Sequence, residues 1–201
     1  MILSTLVVNE YNPTWPAKFV EERQRLQAGI GEFVEEIHHI GSTSVAGLAA
    51  KPIIDLLVVV PNLSVVPHCI LPLECLGYSY QGEGGIAGRH FFRKPPHGFE
   101  RDFHIHLMER SNEHYEFHLL FRDYLQAHSE ARQAYAALKK ELAARFGSDR
   151  TSYTAAKHDF IRLLIQRARE EKAQVSREAH PPDQWKPRQD LLHIYLSYPL
   201  D

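Results

Sequence analysis

Asp55 stands inside the run Ile53-Ile54-Asp55-Leu56-Leu57-Val58-Val59-Val60. A carboxylate among residues this apolar is costly to bury unless something pairs with it. Asp55 is therefore a candidate metal ligand or acid–base group. An ion pair with Lys51 or an arginine would also account for it. Upstream, Gly41-Ser42-Thr43-Ser44 follows the apolar run from Val34 to Ile40. Backbone amides in such a tight turn can converge on an anion, and the three hydroxyls add donors. With a positive charge from Lys51, the segment reads as a phosphate cradle. An ordinary connection rich in small residues has the same composition. It is not a Walker A loop, which needs Gly-Lys-Ser/Thr after a longer glycine loop.

Asp102-x-His104-x-His106 is the third chemical element. Period two places the three side chains on one face of one strand. Imidazole and carboxylate at that spacing can share a divalent metal or contact a phosphate. A solvent-facing strand face would show the same alternation. Met108 stands where a further histidine of a histidine-triad hydrolase would fall. Tyr153 and Lys157, four apart, share a helix face and could reach a triphosphate tail. Arg89 and Arg93 share a strand face that Lys94 opposes, and this basic cluster is another phosphate candidate. Phe121-Arg122-Asp123-Tyr124-Leu125 reads as packing with internal salt-bridging.

The elements that must position these residues follow from periodicity. Pro16 suits the first turn of a helix running to about Ala28. Residues 34–40 and 52–60 read as strands, the second apolar on both faces as at the centre of a covered sheet. Residues 63–76 are helical but kinked or split by Pro67 and Pro72. Residues 78–80 and 89–94 are strand pieces around the loop Gly82-Glu83-Gly84-Gly85, and 99–109 alternates as a strand. Three helices follow, over 112–127, 129–146 and 152–171, with Ser129 and Ser152 as N-caps. From Lys172 onward, prolines and charges predict a tail or arm. Its apolar stretch 191–196 could dock on a neighbouring subunit, which predicts a homodimer. The class is α+β, a short mixed sheet flanked by helices with a helical C-terminal portion. The expected domain is 1–171, with 172–201 as tail.

Bulk properties narrow the function. The 201 residues suffice for one substantial core, and a net charge of -2 gives no basis for nonspecific nucleic-acid binding. Cys69 and Cys75 match neither a zinc knuckle nor a secreted disulfide framework and are expected as reduced core residues. No export signal or membrane-length apolar run is evident, so the chain is expected to be cytoplasmic and without a membrane partner.

The segments His39-Ile40-Gly41-Ser42-Thr43-Ser44-Val45, Gly47-Leu48, Lys51-Pro52-Ile53-Ile54-Asp55, Phe103-His104-Ile105-His106, Phe121-Arg122-Asp123-Tyr124-Leu125 and Tyr153-Thr154-Ala155-Ala156-Lys157 resemble the GrpB family. That family is a branch of the polymerase-beta-like nucleotidyltransferase superfamily. The resemblance runs from about residue 7 to 170. It implies a nucleotidyltransferase-like fold and two metal ions that position a nucleoside triphosphate for attack at its α-phosphate. Gly41 and Ser42 fit the turn, with Thr43, Ser44, Lys51, Tyr153 and Lys157 as further phosphate contacts. Asp55 fits the first acid, whereas the second acid position holds Leu57. The neighbouring strand offers Asp102, His104 and His106 in place of a third acid. The implied cofactors are a divalent metal (Mg, Mn or Zn) at Asp55, Asp102, His104 and His106, and a nucleoside triphosphate. Asp55, His104 and His106 are the implied catalytic residues. Three readings stay open: nucleotidyl transfer to an unknown acceptor, a non-catalytic nucleotide- or phosphometabolite-binding module, and a metal-dependent phosphohydrolase.

Overall fold

A computed structural model of the chain describes residues 8–94, 103–147 and 149–179. The chain divides into two units, 1–168 and 169–201. The first holds a five-stranded sheet built from β1 (Glu36–Ile40), β2 (Ile54–Val60), β3 (Ser79–Tyr80), β4 (His90–Lys94) and β5 (Phe103–Glu109). The order is β1-β2-β5-β4-β3. β2 and β5 run parallel at the centre, and the other pairings are antiparallel. Central parallel strands are covered on both faces, which is why Leu56 through Val60 are all buried.

The helices are α1 (Trp15–Ile30), α2 (Val66–Cys75), α3 (Glu113–Ala127), α4 (Ser129–Phe146), α5 (Arg150–Ala156) and α6 (His158–Ala179). Alternation along the central strands divides the core. Ile54, Leu56, Val58, Ile105 and Leu107 pack with Trp15, Leu26 and Ile30 of α1 and Cys69 and Leu73 of α2. On the opposite face Ile40, Leu57, Val59 and Met108 lie beneath Tyr115 and Leu119 of α3. A third cluster joins Val45 and Leu48 of the loop after β1 to Leu125, Tyr135 and Leu164. That cluster ties the Gly-Ser turn to the helical layer. The α+β class, the mixed sheet and the helical C-terminal portion are those expected from sequence.

Several local expectations are corrected. The helix expected over 152–171 is two helices. Lys157 ends α5 with its amide on the Thr154 carbonyl, a tightening to the three-residue bond that interrupts the regular α ladder. The second piece, α6, continues past Lys172 to Ala179. Ser152 is not the N-cap: Asp149 is, its carboxylate accepting from the Ser152 amide at 3.1 Å. Ser129 lies inside α4, whose N-cap is His128. Cys75 is exposed, and only Cys69 is a core residue. Residues 63–76 do split, into a 3₁₀ turn at Leu63–Val65 and α2, which carries Pro67 in its first turn and Pro72 inside. Residues 99–102 and the apolar stretch 191–196 lie outside the described residues. No helix among the described residues is long and apolar enough to cross a membrane.

Candidate functional site

Asp55 is the second residue of β2 and pairs in register with Ile40 of β1 and His104 of β5. Its side chain lies on the α3 side of the sheet, beside His104 and His106. His104 Nδ1 lies 3.2 Å from Asp55 Oδ1, and His106 Nε2 lies 3.4 Å from the same oxygen. Burial raises the Asp55 carboxyl, but these two hydrogen bonds outweigh it and hold the group well below the usual carboxylate range. A guanidinium has only donors. Arg89 Nη1, 3.4 Å from His106 Nδ1, therefore fixes the His106 tautomer with its hydrogen on Nε2, toward Asp55. The carboxylate likewise fixes the His104 hydrogen on Nδ1. His104 Nε2 is buried without a hydrogen-bond partner.

Gly41 makes room for this carboxylate. Its φ of 70° and ψ of -174° fall in a region essentially reserved for glycine. A Cβ there would collide with Asp55 Oδ2 and lie 3.1 Å from its Cγ. The turn continues into a 3₁₀ segment at Ser42–Ser44. Two of its three hydroxyls are already committed. Thr43 Oγ1 donates to the Ile53 carbonyl at 2.9 Å and meets His39 Nε2 at 3.1 Å. Ser44 Oγ donates to the Gly41 carbonyl at 2.6 Å. Burial pushes His39 down to about 4, so it is neutral and donates to Thr43.

Beside Asp55 lies a cavity of about 140 Å³ lined by Ser42, Thr43, Lys51, Ile53, Asp55, His104, Lys139, Tyr153 and Lys157. Three lysines from distant parts of the chain meet here. Lys51 Nζ stands 4.5 Å from the Tyr153 ring centre and Lys157 Nζ 4.3 Å from it. Lys139, only 3 % exposed, lies 3.1 Å from Ser42 Oγ and also contacts the Ala49 carbonyl. Burial and the nearby Lys157 push Lys139 down to about 7. Burial and repulsion from Lys51 push Lys157 down to about 8, against the attraction of Asp55. Such a cluster favours an anion, which would restore the charged forms.

The sequence-predicted residues Ser42, Thr43, Lys51, Asp55, His104, Tyr153 and Lys157 thus share one cavity. Gly41 abuts Asp55, and His106 lies behind it, its ring 5.2 Å from that of His118. Ser44 faces away, toward the Gly41 carbonyl. Asp102 lies outside the described residues. Arg89 is committed to the glycine loop, donating to the Glu83 and Gly84 carbonyls, and Lys94 to buried Glu22 of α1 at 2.9 Å. Sequence reasoning missed Lys139. It stands four residues after buried Tyr135 and three before buried Leu142, so a cation on the apolar stripe of α4 was the available signal.

The donor set does not suit a two-metal centre. Leu57 is fully buried under α3 where a second acid would stand. Two imidazole N–H groups are spent on one carboxylate oxygen. Among the described residues, no group of three or more His, Cys, Asp or Glu side chains could hold a metal ion.

Comparison with known proteins gives consistent matches. The model of the GrpB protein family matches residues 5–167. UPF0157 protein YqkA of Bacillus subtilis is 42% identical over 159 residues, covering 79% of this chain and 46% of YqkA. UPF0157 protein PA4798 of Pseudomonas aeruginosa is 37% identical over 159 residues, covering 78% of this chain and 65% of PA4798. The chain therefore spans about half of one curated relative and just under two thirds of the other. The crystal structure of conserved protein GrpB from Enterococcus faecalis superimposes with a TM-score of 0.76 and 38% identity, over 83% of this chain and 99% of that one.

Proposed function

The chain belongs to the GrpB family, and from that premise we propose that it binds the phosphates of a nucleoside triphosphate in the cavity beside Asp55. The observation that carries this reading is the convergence of Lys51, Lys139 and Lys157 on a cavity with one carboxylate. Folding brings these cations together at a cost visible in the lowered affinity of Lys139 and Lys157 for protons. A polyanion would recover that cost. Lys51 and Lys157 would neutralise phosphate oxygens, and the Ser42 hydroxyl would supply a directional hydrogen bond. Nucleotidyl transfer from that triphosphate to an acceptor is the reaction this reading implies.

Leu57 favours a second reading, in which the chain binds nucleotide or another phosphorylated small molecule without turning it over. Calorimetric titration with ATP, GTP, CTP and UTP, with Mg²⁺, Mn²⁺, Zn²⁺ or a chelator, tests both. Saturable binding weakened at least tenfold by Lys51→Ala supports the phosphate site. The absence of binding to every triphosphate under all four conditions would overturn it. Binding with no pyrophosphate release in any acceptor mixture would favour the second reading.

A further inference from the structure

Lys139 is not arranged like the other two lysines. Its ammonium nitrogen is buried in the wall of the cavity, 3.1 Å from Ser42 Oγ and against the Ala49 carbonyl. A carbonyl oxygen only accepts, so Lys139 must direct one N–H to Ala49. In the charged form Lys139 donates to Ser42 Oγ, whose hydroxyl also bonds Tyr135. In the neutral amine, with one N–H on the Ala49 carbonyl, the lone pair is turned to accept from Ser42 instead. Ser42 itself lies one residue after the positive-φ Gly41 and lines the same cavity as Lys51 and Lys157. A serine hydroxyl within hydrogen-bond reach of a buried, oriented amine is the constellation of a Ser–Lys nucleophile and base.

We propose that Ser42 is a nucleophile activated by Lys139, and that it accepts a nucleotidyl group from a nucleoside triphosphate bound in this cavity. This rests on the triphosphate reading above. In the step, the Ser42 hydroxyl proton passes to the Lys139 lone pair as Oγ attacks the α-phosphorus. The Oγ–P bond forms, the bond from the α-phosphorus to the bridging oxygen of the β-phosphate breaks, and pyrophosphate leaves with that electron pair. The products are a serine–nucleotide phosphodiester, pyrophosphate and a Lys139 ammonium. In the second transfer an acceptor hydroxyl attacks the same phosphorus and releases its proton to water as the acceptor oxygen–phosphorus bond forms. The phosphorus–Ser42 Oγ bond breaks, and Lys139 returns its proton to the Ser42 oxygen.

The surroundings suit this division of labour. Lys51 and Lys157 can carry the phosphate charge, so Lys139 need not. The charged or titratable groups about Lys139 are Tyr135 on its own helix, Tyr153 of α5, Lys157, Lys51 and Asp55. Tyr135 and Tyr153 are both raised by burial and remain neutral. Burial and Lys157 hold Lys139 near neutrality, where a base is useful at physiological pH.

Two readouts test the step on the full chain. The protein is incubated with Mg²⁺ and each of the four ribonucleoside triphosphates labelled at the α-phosphate, and exchange of labelled pyrophosphate into triphosphate is followed in parallel. Expected are label on the peptide containing Ser42 and exchange that rises roughly tenfold per pH unit below about 7, as for a single base. Ser42→Ala should abolish both while weakening triphosphate binding by no more than about tenfold, one hydrogen bond's worth. Lys139→Arg keeps the cation but has no lone pair, and should lower exchange by roughly a hundredfold or more, within the range of general-base losses. Should Lys139→Arg not fold, Ser42→Ala and the pH profile still decide. Exchange that survives Ser42→Ala overturns the assignment. So does a wild-type protein that binds triphosphate, read by calorimetry, yet shows neither label nor exchange. Failure to bind any triphosphate overturns the parent reading as well.

Discussion

Lys157 shows most clearly that the cavity is held in an unfavourable charge state. Its pKa of about 8 lies below the value of about 10.4 in an unfolded chain. Folding therefore weakens its hold on a proton, and that penalty is fully present below about pH 8. The full difference corresponds to roughly 3 kcal/mol, and residual solvent contact reduces it to about 1–2 kcal/mol. Lys157→Met should raise the unliganded melting temperature at pH 7 by about 2–8 °C while weakening triphosphate binding at least tenfold. A variant that both melts lower and binds normally would contradict this assignment. The buried histidines work on the acid side. Burial lowers His118 to about 3 and His39 to about 4, below the unfolded value of about 6.5. The unfolded chain then binds more protons, so stability is complete above about pH 6.5 and falls as pH drops toward 4. Urea unfolding at pH 7 and 4.5 should show His118→Leu losing roughly 2 kcal/mol less than wild type over that interval. Equal losses would remove His118 from the account.

At the level of elements, the site depends on two close fits. One is the turn between β1 and the loop that precedes β2. Gly41→Ala places a methyl group against Asp55 Oδ2 in a backbone conformation that alanine rarely adopts. A loss of about 2–4 kcal/mol is expected by thermal unfolding, and a loss under 0.5 kcal/mol would show that the turn can relax. The other fit is α3 over β2. Leu57, two residues after Asp55 on the same strand face, is sealed beneath Tyr115 and Leu119. Leu57→Asp should therefore destabilise the chain by about 3 kcal/mol or more, with no gain of Mg²⁺ binding by calorimetry. Mg²⁺ binding in a folded Leu57→Asp protein would mean that α3 yields to a second carboxylate on the Asp55 face of β2. The sequence announced the turn and Asp55 because local chemistry is written locally: a glycine before serines, a carboxylate in an apolar run. It did not announce the α3 lid, because Tyr115 and Leu119 read only as an apolar helix stripe until packing chooses the face it covers. The break at Lys157 was equally hidden. One tightened amide bond leaves the periodicity of 152–171 almost unchanged.

Across the whole molecule, the residues of the candidate site come from segments separated by about a hundred positions and brought together by β2–β5 pairing and the α4–α5 layer. Pairing of β2 with β5 aligned Asp55 with His104, which period-two alternation had already placed beside His106. Lys139 joined only through tertiary packing, 97 residues from Ser42, and no local pattern names such a partner. The described residues thus build a cationic cavity around a single carboxylate held by two histidines. The most direct test is titration of the full chain with ATP at pH 8 in buffers of differing ionisation enthalpy, which reads affinity and proton transfer together. Lys157 is about half protonated at that pH. Binding is predicted to be saturable and to take up protons, roughly half a proton at Lys157 and a further share at Lys139, which is mostly neutral at pH 8, and the uptake should fall by about half a proton in Lys157→Met. Saturable binding with no proton uptake, or binding of equal strength in Lys157→Met and Lys51→Ala, would place the nucleotide elsewhere and contradict the account.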